Sequence, residues 1–289
     1  MSTRLHALGF AAQWTPEMLT LIETLAARKS RLVGSAKGNY RVWRSQQGAE
    51  LWFHYPQRSP KATPPRSTTG RRMQVAPQPP VPAGAKATEP EAPARPVAVT
   101  PFHRGLSNCT IKIGRYLALD RSNPLEGSCM AWLPPSGPEG QEQVIVLELA
   151  PYGLQPLRSP PHTTSAQIVC LAHAVWAFRD AAAYSKGTPG NRRIQAGALS
   201  PVTEADVPEV KLSYRNSPIT LALATGIVRR TIRHINPETR EPYYWLLLET
   251  RRGTFDVFAN PAQVSGDISE GHVAQVCGSF LARLAGTPA

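Results

Sequence analysis

The spacing of apolar positions changes period within the first 56 residues. In "TPEMLTLIETLAARKS", Met18, Leu21, Ile22 and Leu25 recur three and four apart, one stripe of a helix. Thr15 is placed to cap that helix and Pro16 to open its first turn. Lys29 and Arg31 follow, where cations complement the C-terminal end of the helix dipole. The period then drops to two. "NYRVWRS" sets Tyr40 and Val42 against Arg41 and Trp43, "QQG" turns the chain, and "AELWFHYP" returns it, which predicts a hairpin. Residues 1–56 are expected to form a helix plus β-hairpin packed on the unit that follows the linker.

Past residue 100 the pattern is that of strands. "CTIKIGRYLALD" leads into "SNPLEGSCMAWL", then a turn-rich stretch, "QVIVLELA" and the apolar run "AQIVCLAHAVWAF". "LALATGIVRRTIRHI" leads into "INPETREPYYWLLLET", then "RRG", "TFDVFANP" and "AQVCGSFLARL". Both series carry Asn-Pro, seven residues, then Trp-Leu, at Asn123–Trp132 and Asn236–Trp245. The matched succession predicts one unit used twice. The chain is expected to be mainly β (a β-rich α+β protein), with two tandem OB-like small β-barrels after the helix-hairpin element. Their expected bounds are 101–190 and 215–289, with a connector at 191–214. "RDAAAYSKG" is expected to close the first unit with a short helix or turn ending at Gly187. Asn and Pro each favour a turn. In a five-stranded OB barrel this turn is the first hairpin loop, one of those that contact oligonucleotides. Alternation puts Tyr244, Leu246 and Leu248 on one face of the Trp-bearing strand and Tyr243, Trp245 and Leu247 on the other. Both faces are apolar, so both are expected to be at least partly covered.

Residues 57–100 hold much of the chain's 29 prolines and almost no large apolar side chain. Such a stretch cannot bury enough surface to offset its ordering entropy, and a disordered, Pro-rich insertion is expected there.

"ATGIVRRTIRHINPETREPYYWLLLETRRGTFDVFANP" with "GHVAQVCGSFLARL" resembles an uncharacterised family of bacterial proteins. "GAELWFHYP" and the Asn123–Trp132 stretch are similar to it as well. Arg240 stands where the family's turn has Gly. The resemblance implies a β-rich, OB-like architecture and brings no activity with it.

Net charge is +12, distributed as +5 over 1–60, +4 over 61–100, −1 over 101–150, +4 over 151–200 and 0 over 201–289. A basic chain of this size has polyanions among its expected partners. The four cysteines make no CxxC pair, and the seven histidines have no metal-ligand spacing. The bland reading of the cysteines is buried thiols in a reducing compartment. No nucleophile, base and orienter fall into a known pattern, so no catalytic residue, metal or cofactor is assigned. No run of eighteen apolar residues and no leader pattern occur, so a soluble, cytoplasmic protein off the membrane is expected.

The candidate site is nucleic-acid-binding. Arg229, Arg230, Arg233 and Arg240 cluster around the strand and Asn-Pro loop of the second unit, Arg251 and Arg252 sit on the next hairpin tip, and Tyr243 and Trp245 lie on the strand between. Single-strand binders combine a basic groove with aromatic rings for base stacking. Arg192 and Arg193 add charge from a central loop, and Lys61, Arg66, Arg71 and Arg72 from the insertion. Single-stranded DNA or RNA, or another polyanion, is the expected ligand. Two considerations oppose it. Tryptophans at matched places also suit a core, and Glu238, Glu241, Glu249 and Asp256 lie among the arginines. The alternative is a protein-interaction adaptor in a bacterial defence, secretion or mobile-element system; an enzyme ranks third.

Overall fold

A computed structural model of the protein describes residues 2–56, 95–118, 123–134, 142–187, 192–202 and 220–288. The insertion expected at 57–100 lies mostly outside the described residues, as do Lys61, Arg66, Arg71, Arg72 and much of the connector.

The chain is mainly β, in two sheets, with a short helical element at its start. α1 (Ser2–His6) is followed by α2 (Pro16–Arg28). Thr15 caps α2, its Oγ1 accepting the Met18 N–H at 3.2 Å, and Met18, Ile22, Leu25 and Ala26 are buried. The stripe is therefore the packed face.

The small sheet runs β1 (Arg31–Ser35), β2 (Gly38–Arg44), β3 (Ala49–Pro56) and β4 (Ala98–His103) in that order. β2 and β3 are the expected hairpin. β4 was not foreseen as a member. It pairs antiparallel with β3, so the two strands that flank the insertion are sheet neighbours. Pro101–His103, placed by sequence in the first barrel, thus completes the small sheet.

The large sheet holds β5 (Cys109–Ala118), β6 (Gly127–Leu133), β7 (Gln143–Leu149), β8 (His162–Phe178), β9 (Leu199–Pro201), β10 (Leu221–Ile235), β11 (Pro242–Thr250), β12 (Gly253–Ala259), β13 (Val264–Ser265) and β14 (Val273–Leu284). α3 (Ala181–Lys186) follows β8, with Asp180 as N-cap and Gly187 as C-cap, so the expected helix or turn ending at Gly187 is a helix.

The pairings close two rings. One runs β5–β6–β7–β14–β8 and back to β5. The other runs β10–β11–β12–β8–β14 and back to β10. Each ring is completed by the last strand of the other series, laid parallel to its own third strand: β14 beside β7, and β8 beside β12. The β8–β14 ladder, Val273↔Phe178 to Leu284↔Ala166, belongs to both rings. One hydrophobic core accordingly spans them, joining Ile111, Cys129 and Leu147 to Leu246, Phe255 and Val257.

The small sheet and the residues after α1 cover the outer face of this arrangement. Val169, Leu171 and Leu281 of the shared ladder form one cluster with Leu8, Phe10, Trp43, Trp52 and Phe102. β8 is consequently buried on both faces from Ile168 to Ala172, which removes the alternation expected of a half-exposed strand.

Candidate nucleic-acid interface

β10 has two halves with different fates. Leu221–Ile227 pairs with β14, whereas Ile227–Ile235 pairs with β11 alone among the described residues. The bulge between Val228 and Arg230 marks the change. Beyond it, Arg229, Arg230, Ile232, Arg233 and Ile235 are exposed.

Arg230 and Arg233 are an odd number of residues apart and leave opposite faces of the ladder. Arg229 is bound to Glu249 through a 2.6 Å Nε–Oε2 contact. Arg240 sits in the exposed turn before β11, and Arg251 and Arg252 occupy the β11–β12 tip. The Arg252 guanidinium donates to the Pro134 carbonyl at 2.7 Å. The cations thus line the edge and both ends of a nine-residue strand, roughly 30 Å long at about 3.4 Å per residue. They do not make one flat patch.

Tyr243 and Trp245 require a correction. Both are core residues, packed with Phe10, Trp43, Phe102 and Phe258. The Trp245 Nε1–H donates to Asp256 at 2.8 Å. His103 of β4 stacks on Phe258 with ring centroids 4.0 Å apart and approaches the Tyr243 hydroxyl. No base can stack on either ring while the small sheet is in place. The face alternation was legible in the sequence; the identity of its cover was not.

Two of the four acidic residues expected to quench the arginines are committed elsewhere. Asp256 is fully buried and accepts from the N–H groups of Leu106 and Ser107, the Ser107 hydroxyl, Gln167 and Trp245. Glu238 faces the N-terminal layer, 2.7 Å from Lys29 Nζ and 3.3 Å from Trp43 Nε1. Glu249 stays among the arginines, on Arg229, and Glu241 is exposed beside Arg240.

Both Asn-Pro loops are ties to that same layer. Asn236 Oδ1 accepts the Glu238 N–H at 2.9 Å, closing its turn, and Nδ2 donates to the Leu8 carbonyl at 2.8 Å. Asn123 Oδ1 accepts the Leu125 N–H at 3.3 Å, and Nδ2 reaches His54 Nδ1 at 3.1 Å. The Tyr40 hydroxyl donates to the Leu125 carbonyl at 2.7 Å. Loops expected to hold an oligonucleotide hold the small sheet and the residues after α1.

A second buried carboxylate lies where the sheets meet. Glu50 contacts Arg44 at 2.9 Å, Arg104 at 2.7 Å and Arg283, and accepts from Trp52 Nε1 at 2.8 Å. Burial alone would push the carboxyl up, but the three guanidinium groups outweigh it and hold Glu50 below the usual range. Arg44 faces Glu50 across the β2–β3 hairpin, but Arg104 and Arg283 reach it from far along the chain, so the cluster as a whole was not visible in the sequence.

Among the described residues, no three His, Cys, Asp or Glu side chains converge to hold a metal, and no helix is long and apolar enough to cross a membrane. All four cysteines are buried thiols. Comparison with family models, with curated proteins and with solved structures finds no match, so any function rests on the geometry of this chain alone.

Proposed function

We propose that this chain is a non-enzymatic binding protein for single-stranded nucleic acid, or another polyanion, held along the β10–β11 ladder. One observation carries the reading. Arg230, Arg233, Arg240 and Arg251 are exposed and make no ion pair among the described residues, although carboxylates lie close by in sequence. Cations left without internal partners along an extended edge suit phosphates spaced along a strand. The parallel pairing patterns of the two strand series support a duplicated OB-like unit as the scaffold.

Fluorescence anisotropy with labelled single-stranded oligonucleotides, titrated with salt, tests it. Tight binding at low salt and a steep salt dependence are expected. In the triple variant Arg230→Ala, Arg233→Ala, Arg240→Ala, the salt slope is expected to fall by about 2, at roughly 0.7 per lost phosphate contact. No binding at low salt, or a variant that binds like the parent, removes the proposal.

The adaptor reading is favoured by a different observation. Ile232 and Ile235 are exposed beside an edge of β10 that has no strand partner among the described residues. Such an edge can accept a strand from another protein. Ile232→Lys would block strand addition while leaving oligonucleotide binding intact.

A further inference from the structure

The outer faces of the two rings are used differently. In the second ring, Tyr243 and Trp245 of β11 and Phe258 of β12 are roofed by the small sheet and the residues after α1. In the first ring, the outward side chains of the corresponding strands are Met130 and Trp132 of β6 and Val144 and Val146 of β7. None of these is buried, and Val144 is 40% exposed. Their neighbours Cys129, Ala131, Leu133, Ile145 and Leu147 point the other way, into the core.

Register sets the outward residues in a grid. Lys112, Trp132 and Val144 are cross-strand neighbours, and so are Arg115, Met130 and Val146. Gly114 is what seats the indole. A Cβ at Gly114 would lie 1.9 Å from the Trp132 ring, so glycine alone lets the ring lie against β5. Lys112 Nζ stands 5.8 Å from the ring centroid and shares its charge with Glu142 at 3.7 Å. Arg115 is exposed and makes no ion pair among the described residues. At the far end of β6, the Arg252 bond to Pro134 joins the cationic β11–β12 tip to this face.

We propose that this face of the first ring is the base-stacking platform of a single-stranded nucleic-acid site, with Trp132 as the stacking ring and Lys112, Arg115 and Arg252 facing phosphates. The inference rests on the polyanion reading above and relocates its aromatic contact. An apolar, aromatic floor with cations along its rim offers both contacts that a single strand needs, π-faces for bases and positive charge for the backbone. The outer face of the second and third strands is where an OB-like ring receives an oligonucleotide. Here one such face is closed by the chain itself and the other is open.

Anisotropy with a thymidine oligonucleotide and an abasic oligomer of equal length and charge separates the two proposals. The wild-type protein is expected to prefer the base-bearing strand. Trp132→Ala should weaken that strand by about 5- to 100-fold and abolish the preference, while Trp132→Phe retains most of both. A wild-type protein indifferent to bases, or a Trp132→Ala variant that discriminates as well as the parent, overturns the platform while leaving the phosphate track standing. If Trp132→Ala melts early, the Phe variant and the wild-type abasic comparison decide. A dimer that dissociates on Trp132→Ala would assign the face to a second copy and also overturn the proposal. Failure of any oligonucleotide to bind the wild-type protein sinks the polyanion reading itself, and the platform with it.

Discussion

Arg240 holds a left-handed backbone, φ +64°, in the turn that joins β10 to β11. A side chain there costs about 1 kcal/mol relative to glycine, because Cβ crowds the carbonyl oxygen. The turn is nonetheless well closed, with the Arg240 N–H on the Asn236 carbonyl and the Asn236 N–H on the Glu241 carbonyl, both at 2.9 Å. Strain kept at an exposed cation, where glycine would fit better, is a reason to look for a ligand. Arg240→Gly is expected to stabilise the protein by about 1 kcal/mol, raising Tm by roughly 2–4 °C, and to weaken oligonucleotide binding. Thermal melting and anisotropy on the same variant check both halves, and a lowered Tm would remove the strain argument. Trp245→Ala, which the sequence offers as a binding test, is unsuitable: it would empty a core site at about 3–5 kcal/mol and strip Asp256 of a donor.

At the scale of elements, the two Asn-Pro turns do the same thing by different partners. Each asparagine closes its own turn through Oδ1 and ties the N-terminal layer through Nδ2, Asn123 to His54 and Asn236 to Leu8. The first half of that behaviour is local and readable from the dipeptide. The second requires knowing what lies opposite. Asn123→Ala and Asn236→Ala are each expected to cost about 1–2 kcal/mol, since each leaves a buried partner unsatisfied. The losses should add, because the two ties share no partner. Urea denaturation gives the sum. Hydrogen exchange should rise in β3 and β4 for the first variant and around Leu5–Phe10 for the second; a uniform rise in both would show that the turns are not separate ties. Local signals also explain which elements were legible. Thr15, Pro16 and the apolar stripe specify α2, and Asp180 and Gly187 bracket α3. β1 was missed because Arg31–Ser35 is short, largely exposed and without a one-sided apolar pattern, and β4 because its first half, Ala98–Thr100, lies within the stretch read as a disordered insertion.

Across the whole molecule, burial between layers leaves three histidines neutral. His54, His103 and His173 have pKa values lowered to about 4, in each case chiefly because burial disfavours the charged ring. Their ordinary value is 6.5, so between that pH and about 4 the unfolded chain binds protons that the folded chain refuses. Stability therefore falls as pH drops through this window, by about 1.4 kcal/mol per pH unit for each histidine that has titrated in the unfolded chain. Glu50 acts in the same direction: its carboxyl is held low, so the stability it contributes above its unfolded value is lost on acidification. Urea midpoints measured from pH 7 to pH 4 should decline steeply. His54→Gln and His103→Gln should each flatten the curve, and a midpoint independent of pH would show that these rings titrate normally.

The sequence alone determined the periods, the turns and the caps: a helix on one apolar stripe, strands that alternate, hairpins at Asn-Pro and "RRG", and a mainly β chain. These follow from side-chain and backbone preferences that act within a few residues. Strand partnership lay beyond its reach, because a strand's hydrogen-bonding edge is backbone and carries little side-chain code. β14 therefore closes the ring of β7, and β8 that of β12, with no mark in either sequence. The fate of outward apolar faces was equally undecided. Trp132 and Trp245 sit in the same local wording, yet one lies half-open on Gly114 and the other is sealed beneath the small sheet. An apolar face calls for cover; tertiary packing decides whether the chain supplies it or leaves it for something else.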